Sequence, residues 1–365
     1  MLTLRRRGFM SGAIAALATV LMVNACATSP VEPQADSAAP TGSAANTSPA
    51  ELTTVRFTLD WAVQGVHAPI GVAIEKGYFA EEGLDIQFEP GSGSADAITK
   101  VASGAFDMGL GDINSLMEFN VNNPDTPVRA VAIYYNQSPM AIMALDESDI
   151  TEPSDLENKT LGIPAGSATR RLLPLFAEAS GLNLEAVDVP AIESRLQQTL
   201  LLTKEIDAIA PFTISALPNL AEAGYPEERL NIFRFKDYGL DLYGNSVLVP
   251  ASYLESNPEV VRGFIRALTR GLRDTLNDPD EAIEIMSQFD DLFEIPLERE
   301  RLQIAIDTLF LSPEVEENGF GAVDPERFQR SIDLVVKGFD LSEPPAADDI
   351  FDDRFLPDLS DRQLN

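Results

Sequence analysis

The sequence predicts an α/β protein built from two lobes. Hydrophobic residues make up 45% of the 365-residue chain, which is enough for one large or two medium-sized cores. Short apolar segments with strand character alternate with segments of helical spacing, and this alternation starts twice, near residues 53 and 159. Such alternation is typical of a mostly parallel sheet covered by helices, so each start predicts one lobe.

The first unit begins where the composition changes at Thr53. Val55–Leu59 is a short run of strand-forming residues, and the segment from His67 to Lys76 carries its apolar residues on one helical face until Gly77 ends it. The other predicted elements of this unit are strands at 84–88, 107–110 and 128–134 and helices over 95–103 and from 115.

The second unit begins near Lys159 and repeats the same alternation. Its predicted elements are strands at 160–163, 187–189 and 206–210 and helices over 169–180, 193–203 and after 212. Beyond a strand at 247–249 the pattern becomes helical, over 257–275, 280–288, 297–310 and 324–338. We expect lobe 1 to comprise residues 53–144 and 249–365 and lobe 2 to comprise 145–248, with strands 140–145 and 247–249 crossing between the lobes as a hinge.

The first 52 residues have the character of an export signal and a tether. Arg5–Arg7 precede an apolar segment, Ala13–Val23, that is short for a membrane span and typical of a signal peptide. The residues that follow, Val23-Asn24-Ala25-Cys26, resemble the bacterial lipobox. We therefore expect residues 1–25 to be a lipoprotein signal peptide of the Sec or twin-arginine type and residues 26–52 to be a lipidated Cys26 with a flexible tether, which would place the protein in the periplasm or on the cell surface.

Composition excludes several classes of function. The only cysteine cannot form an intrachain disulfide, and with a single histidine the chain has no Cys/His zinc site. A formal charge of −32 argues against nucleic acid as a partner. The sequence contains no motif of paired carboxylates, no phosphate-binding loop and no metal-ligand cluster. We therefore expect no catalytic residues, no metal and no cofactor.

Several short motifs occur in a recognisable order. They are Leu59-Asp60-Trp61, His67-Ala68-Pro69, Glu75-Lys76-Gly77-Tyr78-Phe79, Glu82-Gly83-Leu84-Asp85-Ile86 and Pro90-Gly91-Ser92-Gly93-Ser94. This order resembles the solute-binding proteins of ABC importers, in the branch that takes nitrate, taurine, aliphatic sulfonates and thiamine-pyrimidine precursors. The resemblance covers residues 53–340 and implies a type II-like periplasmic-binding-protein clamshell, with a small ligand between the lobes and an ABC permease with its ATPase subunits as partners. We expect a monomer.

Within that branch, Leu59-Asp60-Trp61 followed by His67-Ala68 is most similar to the pyrimidine-precursor binders. Related fungal pyrimidine-synthesising enzymes share such a start but carry a cysteine-rich cluster, whereas this chain has no cysteine after Cys26. The expected function is therefore capture of a thiamine-precursor pyrimidine or a similar nitrogen heterocycle, without enzymatic activity. Binding of a sulfonate, taurine or nitrate is the alternative, and a secreted pyrimidine-synthesis enzyme is a third possibility.

The first candidate ligand contacts follow the first predicted strand, because loops at the carboxyl ends of strands face the cleft of such a fold. Trp61 offers a face for stacking on a flat ring, and Asp60 offers an acceptor for its N–H groups. His67 is a candidate for contacting the ligand or for holding the Trp61 loop. Packing in the core is the alternative for Trp61.

Two further candidate sites in lobe 1 lie where a predicted strand turns into a helix. Gly93 and Ser94 belong to a Gly/Ser turn at a helix start, where free backbone N–H groups favour an anionic group. Asp112 and Asn114 lie between a strand and the next helix. Helix capping is an equally good explanation for both places.

Lobe 2 repeats this arrangement. Gly166 and Ser167 form its strand-to-helix turn, and Arg170 follows as a candidate partner for an anion, or else as an exposed helix arginine. Phe212 follows a predicted strand and is a candidate to cover the ligand. Glu193 is a candidate partner for a basic ring nitrogen, or else an N-terminal helix acid.

The remaining candidates flank the two expected crossings between lobes. Asn136 lies before the first crossing, and Tyr243 and Asn245 lie before the second. Polar side chains at a hinge can touch both the ligand and a lobe. Stacking by Trp61 would favour a heterocycle, and an inward Arg170 would favour an anion.

Overall fold

The computed structural model describes residues 52–341 and 344–364. The predicted signal peptide, Cys26 and the tether up to residue 51 lie outside the described residues. In the part that is described, no helix is long and apolar enough to cross a membrane.

Within these two ranges, ten strands form two five-stranded sheets. The strands are β1 (Thr53–Thr58), β2 (Leu84–Glu89), β3 (Met108–Asp112), β4 (Val128–Ile133), β5 (Ala141–Leu145), β6 (Leu161–Pro164), β7 (Ala191–Ile192), β8 (Ala208–Ile209), β9 (Leu230–Arg234) and β10 (Asn245–Pro250). The first sheet has the order β2-β1-β3-β10-β4, and the second has the order β7-β6-β8-β5-β9. Two α/β units are therefore confirmed.

Each sheet contains one strand that runs against its neighbours. In the first sheet β10 is antiparallel to both β3 and β4, while β1 is parallel to β2 and β3. In the second sheet β5 is antiparallel to both β8 and β9, while β6 is parallel to β7 and β8. These are the two strands that the chain enters after leaving the other sheet. The predicted crossing by strands 140–145 and 247–249 is therefore wrong, because each of these strands is hydrogen-bonded within one sheet, and the connections are residues 134–140 and 235–244.

The helices cover both sheets. They are α1 (Ala68–Glu75), α2 (Tyr78–Glu81), α3 (Ser94–Ala102), α4 (Ile113–Asn122), α5 (Ala168–Ser180), α6 (Gln197–Leu202), α7 (Thr213–Glu222), α8 (Ala251–Ser256), α9 (Pro258–Asn277), α10 (Pro279–Met286), α11 (Ile295–Ala305), α12 (Pro313–Asn318), α13 (Pro325–Gly338), α14 (Ala347–Ile350) and α15 (Leu359–Arg362). The four long helices predicted after residue 249 are confirmed as α9, α10, α11 and α13, with α11 continued by a π-helical segment at Ile306–Phe310.

Two elements of the second unit differ from the sequence prediction. The paired strand is Ala191–Ile192, not 187–189, because Pro190 has no N–H to donate and residue 188 makes only an isolated bridge to Thr160. The predicted helix over 193–203 is a 3₁₀ turn, Ser194–Leu196, followed by α6. The alternating segment that forms β9 was missed.

Close packing under the first sheet fixes the position of α1. Helix α9 crosses α1 at Gly271, where an added Cβ would stand 2.1 Å from the carbonyl oxygen of Pro69. Phe264 on the same helix stacks on Phe57 of β1, with ring centroids 5.1 Å apart. The start of α1 and the loop after β1 are therefore anchored in a buried apolar core.

Candidate ligand-binding site

A cavity of about 700 Å³ lies between the two sheets, a volume within the range of small-molecule sites. Its walls come from the segments that follow the parallel strands β1, β2, β6, β7 and β8, including Gln64 before the 3₁₀ turn Gly65–His67, and from α7. The lining residues are Asp60, Trp61, Ala62, Gln64, Pro90, Gly91, Ser92, Gly93, Ser94, Ser167, Ala168, Thr169, residues 193–198, Ala210, Pro211, Phe212, Ser215 and Asn219. Seven of the candidate site residues line it: Asp60, Trp61, Gly93, Ser94, Ser167, Glu193 and Phe212.

Asp60 is held in place by His67 behind it. The backbone N–H of Gln64 donates to Nδ1 of His67 at 3.2 Å, so Nδ1 is an acceptor and the ring proton sits on Nε2. Nε2 therefore donates to Oδ1 of Asp60 at 3.0 Å. His67 is 1% exposed and does not line the cavity, whereas Asp60 does. The imidazole is a neutral support that keeps a carboxylate facing the cavity.

The loops after β1 and β2 are tied together by backbone bonds. The N–H of Gly91 donates to the carbonyl of Trp61 at 2.9 Å, and the N–H of Gly93 donates to the carbonyl of Asp60 at 2.8 Å. Gly91 has no room for a side chain, because a Cβ would stand 2.0 Å from the carbonyl oxygen of Leu59. These bonds place Trp61, which is half-buried, on the cavity wall beside Asp60.

Two contacts join the walls across the cavity. On one side the N–H of Ala95 donates to the carbonyl of Gly166 at 3.0 Å, so Gly166 supports the loop contact rather than lining the cavity. On the other side the hydroxyl of Ser215 donates to Oε1 of Gln64 at 2.9 Å. On each of these two sides, a hydrogen bond connects a segment packed on the first sheet to a segment packed on the second.

Helix α7 contributes Ser215 and Asn219, which the sequence analysis did not predict. They lie four residues apart and so share one helical face, while Ala216 and Leu220 are buried against the second sheet. The sequence signal that could have revealed this cavity wall is the pair of polar residues four positions apart in the mostly apolar middle of the helix.

Arg170 is engaged by the backbone and does not line the cavity. Its guanidinium donates to the carbonyls of Ile163, Pro164, Val189 and Pro190, with the bond from Nη2 to Pro190 at 2.7 Å. Burial lowers the pKa of Arg170. This arginine is neither an inward anion partner nor a free surface residue, because its N–H groups are bound by carbonyl oxygens at the end of β6 and just before β7. Among the residues that line the cavity, Arg195 at the exposed mouth is the basic one.

A cluster of buried polar side chains, formed by Asp112, Asn114 and Asn245, lies behind Ser94. Asp112 caps α4 by accepting the N–H of Ser115 at 2.7 Å, which confirms the capping alternative, and burial raises its pKa to about 6. Asn114 donates to Asp112 and to the carbonyl of Tyr243. Asn245 faces Asp112 across the ladder and lies 3.4 Å from the hydroxyl of Ser94. Asp112, Asn114 and Asn245 are therefore behind the cavity wall.

Asn136 and Tyr243 are also away from the cavity, because a buried arginine ties the two connecting segments together. Arg327 donates to Oδ1 of Asn136 at 3.3 Å and to Oε2 of Glu314 at 3.0 Å, and its guanidinium lies 4.1 Å from the centre of the Tyr243 ring. The hydroxyl of Tyr243 donates to Glu314 at 2.6 Å. Burial raises the pKa of Tyr243.

Among residues 52–341 and 344–364, no group of three or more His, Cys, Asp or Glu side chains is placed to hold a metal ion. The cavity lining offers the carboxylates of Asp60 and Glu193, the guanidinium of Arg195, the aromatic faces of Trp61 and Phe212, and side-chain amides and hydroxyls.

Comparison with known proteins identifies relatives over most of the chain. The formylaminopyrimidine-binding protein of Halalkalibacterium halodurans is 29% identical over 82% of this chain and 90% of its own length. The riboflavin-binding protein RibY of Chloroflexus aurantiacus is 26% identical over 93% of this chain and 95% of its own. A 4-amino-5-hydroxymethyl-2-methylpyrimidine phosphate synthase of Legionella pneumophila is 22% identical over 83% of this chain and 92% of its own.

The fold has close counterparts among solved structures. A Candida albicans gene product described as having the generic periplasmic binding protein fold superposes with a TM-score of 0.63, at 16% identity, over 84% of this chain and 98% of its own. The family model described as NMT1/THI5 like matches residues 64–282. The chain belongs to the NMT1/THI5 like family and has the two-sheet periplasmic binding protein fold.

Proposed function

We propose that this protein is the extracytoplasmic solute-binding component of an ABC importer and that it captures a flat nitrogen heterocycle of the thiamine-precursor pyrimidine type. The observation that carries the proposal is the pairing of Trp61 with a carboxylate, Asp60, held toward the cavity by a neutral histidine. An aromatic face and a fixed acceptor match a planar ring that bears amino or ring N–H groups. The names of the two binding-protein relatives support the same ligand class.

The alternative ligands, sulfonate, taurine and nitrate, lose their expected partner. Arg170 was the cation on which they depended, and its N–H groups are taken up by carbonyl oxygens. The enzymatic alternative required His67 as a reacting group. That ring is buried, and both of its nitrogens are engaged, which supports binding rather than reaction.

Export, lipid anchoring and delivery of the ligand to a permease complete the proposal. Signal peptide 1–25 directs export, Cys26 carries the lipid anchor, and a monomer hands its ligand to a permease driven by ATPase subunits. The parts of the chain that carry the two sheets form the two moving lobes, and residues 134–140 and 235–244 connect them as the hinge. Ligand between the sheets favours the closed arrangement, and this population shift signals occupancy to the permease.

Thermal unfolding of the full-length protein tests the ligand class, with formylaminopyrimidine, riboflavin, taurine, an alkanesulfonate and nitrate as probes. A heterocycle at about 100 times its dissociation constant is expected to stabilise the protein by roughly 2.7 kcal/mol. Trp61→Ala abolishes this shift, and Asp60→Asn reduces it. Tyr225→Ala, at a half-buried aromatic residue outside the cavity lining, is the matched control and leaves it intact. Stabilisation by taurine, the alkanesulfonate or nitrate alone would overturn the heterocycle assignment.

A further inference from the structure

Helix α11 carries a buried ion pair that lies outside the cavity lining but reaches two residues that border it. The side chains of Glu298 and Arg301 are 6% and 4% exposed and contact each other one turn apart. Oε2 of Glu298 accepts the backbone N–H of Gly65 at 2.6 Å. Arg301 extends the other way, toward α7. Burying two charges is costly, so this arrangement calls for a role beyond packing.

Arg301 fixes the orientation of a side-chain amide on the cavity wall. Its Nη2 donates to Oδ1 of Asn219 at 2.5 Å, and also reaches the carbonyl of Ser215 at 3.4 Å. A guanidinium has donors only, so the atom of Asn219 that faces it must be the oxygen. The Nδ2 group of Asn219 then points away from Arg301 and has no protein partner among the described residues, although Asn219 lines the cavity.

The cavity therefore has a fixed polarity. Asp60 can only accept from a ligand while it remains ionised, and the orientation of Asn219 leaves it an N–H donor. A ligand that satisfies both groups needs a donor at one end and an acceptor at the other. A bound ligand covers this half-buried amide, and a donor that is covered without a partner costs more than an ordinary hydrogen bond gains, so such a site discriminates strongly against ligands that lack the acceptor.

Resting on the function proposed above, we propose that Arg301, paired with Glu298, is a positioning residue that turns the amide donor of Asn219 into the cavity and thereby selects heterocycles that place a hydrogen-bond acceptor, such as a carbonyl group, against it. Arg301 itself does not touch the ligand. Because Arg301 lies on α11 and Asn219 on α7, the same bond also joins these two helices.

Calorimetric titration of the full-length protein with two probes tests the selectivity. The probes are formylaminopyrimidine and the same aminopyrimidine without its formyl group, which lacks the carbonyl. Asn219→Leu removes the donor without adding a charge, so the affinity ratio of the two probes should shift toward the unformylated one by about tenfold. Arg301→Gln should shift the ratio in the same direction, and Arg301→Lys should restore part of it. A merely structural role would weaken both probes together and leave the ratio unchanged, which would overturn the proposal.

A measurement without ligand keeps the test independent of the ligand class. In a double-mutant cycle on unfolding, Arg301→Gln and Asn219→Ala should be coupled by about fivefold or more in the unfolding equilibrium constant. Arg299→Gln, at an exposed position on the same helix, is the matched control and should show no coupling with Asn219→Ala. Additive effects of Arg301 and Asn219 would overturn the inference whichever probe binds. If neither probe bound the unmutated protein, the proposed ligand class would be wrong. The double-mutant cycle would then still test whether Arg301 positions Asn219.

Discussion

Gly93 and Gly166 meet across the cavity with no room for a side chain between them. A Cβ on Gly93 would stand 2.1 Å from the carbonyl oxygen of Gly166, and the N–H of Ala95 donates to that same oxygen. Gly93 has a φ of +132°, which only glycine adopts readily. The loop after β2 and the loop after β6 can therefore touch because this position has no side chain.

Gly93→Ala should separate the two loops. The added methyl group collides with Gly166, so the touching arrangement is lost and the affinity for formylaminopyrimidine is expected to fall by at least about tenfold. Calorimetric titration measures the affinity. Gly104→Ala is the matched control, since Gly104 also has a positive φ of +74° but nothing lies within 4 Å of its added Cβ. Equal affinities for the two variants would contradict the role assigned to the contact.

Arg170→Gln should destabilise the protein without changing which ligands bind. The substitution leaves several carbonyl oxygens beside β6 and β7 without a donor, and we expect a loss of about 1–3 kcal/mol in the free energy of unfolding. Chemical denaturation measures this loss. Arg171→Gln, at the next and exposed position, should change stability by no more than about 0.5 kcal/mol. If taurine stabilised the unmutated protein but not the Arg170→Gln variant, Arg170 would be a ligand contact and the structural role would be wrong.

The stability of the protein should fall as pH rises from about 4 to about 6. Burial raises the pKa of Asp112 to about 6, so the folded state holds its proton at pH values where the unfolded state has released it. The unfolded state then binds fewer protons, and Asp112 lowers the free energy of unfolding by about 3 kcal/mol above this range.

Asp112→Asn should flatten this part of the pH profile, because an amide has no proton to release. Denaturation curves between pH 4 and 7 provide the measurement, and exposed Asp237→Asn is the control that keeps the unmutated slope. Parallel profiles for the unmutated protein and Asp112→Asn would show that Asp112 is ionised in the folded state throughout.

Arg327→Met should be strongly destabilising. It leaves the half-buried carboxylate of Glu314 beside Asn136 and Tyr243 without its cation, and we expect a loss of about 2–4 kcal/mol in the free energy of unfolding. The measurement is the midpoint and slope of urea unfolding. Arg330→Met, on the exposed face of the same helix, should behave like the unmutated protein. Similar midpoints for the two variants would argue against a tie between the connecting segments.

The sequence could predict the loops that end parallel strands. Asp60 and Trp61 follow β1, Ser167 follows β6 and Phe212 follows β8, and all four line the cavity because the carboxyl ends of parallel strands share one edge of a sheet. Strand and helix periodicity also sufficed for the two α/β units and the four long helices after residue 249. These features depend on local pattern, which a single chain displays directly.

Other features depended on distant partners. Arg170 and Asn136 have side chains suited to a ligand, but their hydrogen bonds go to backbone carbonyls and to Arg327, which lies 191 residues away from Asn136. Asn219 has an ordinary helical position, and its role follows from Arg301 on another helix. The sequence by itself determined the fold class, the strand-end loops and the chemistry available in them. Tertiary structure alone decided which polar groups remain free to face the cavity, because a side chain's hydrogen-bonding capacity is used up by whichever partners folding brings to it.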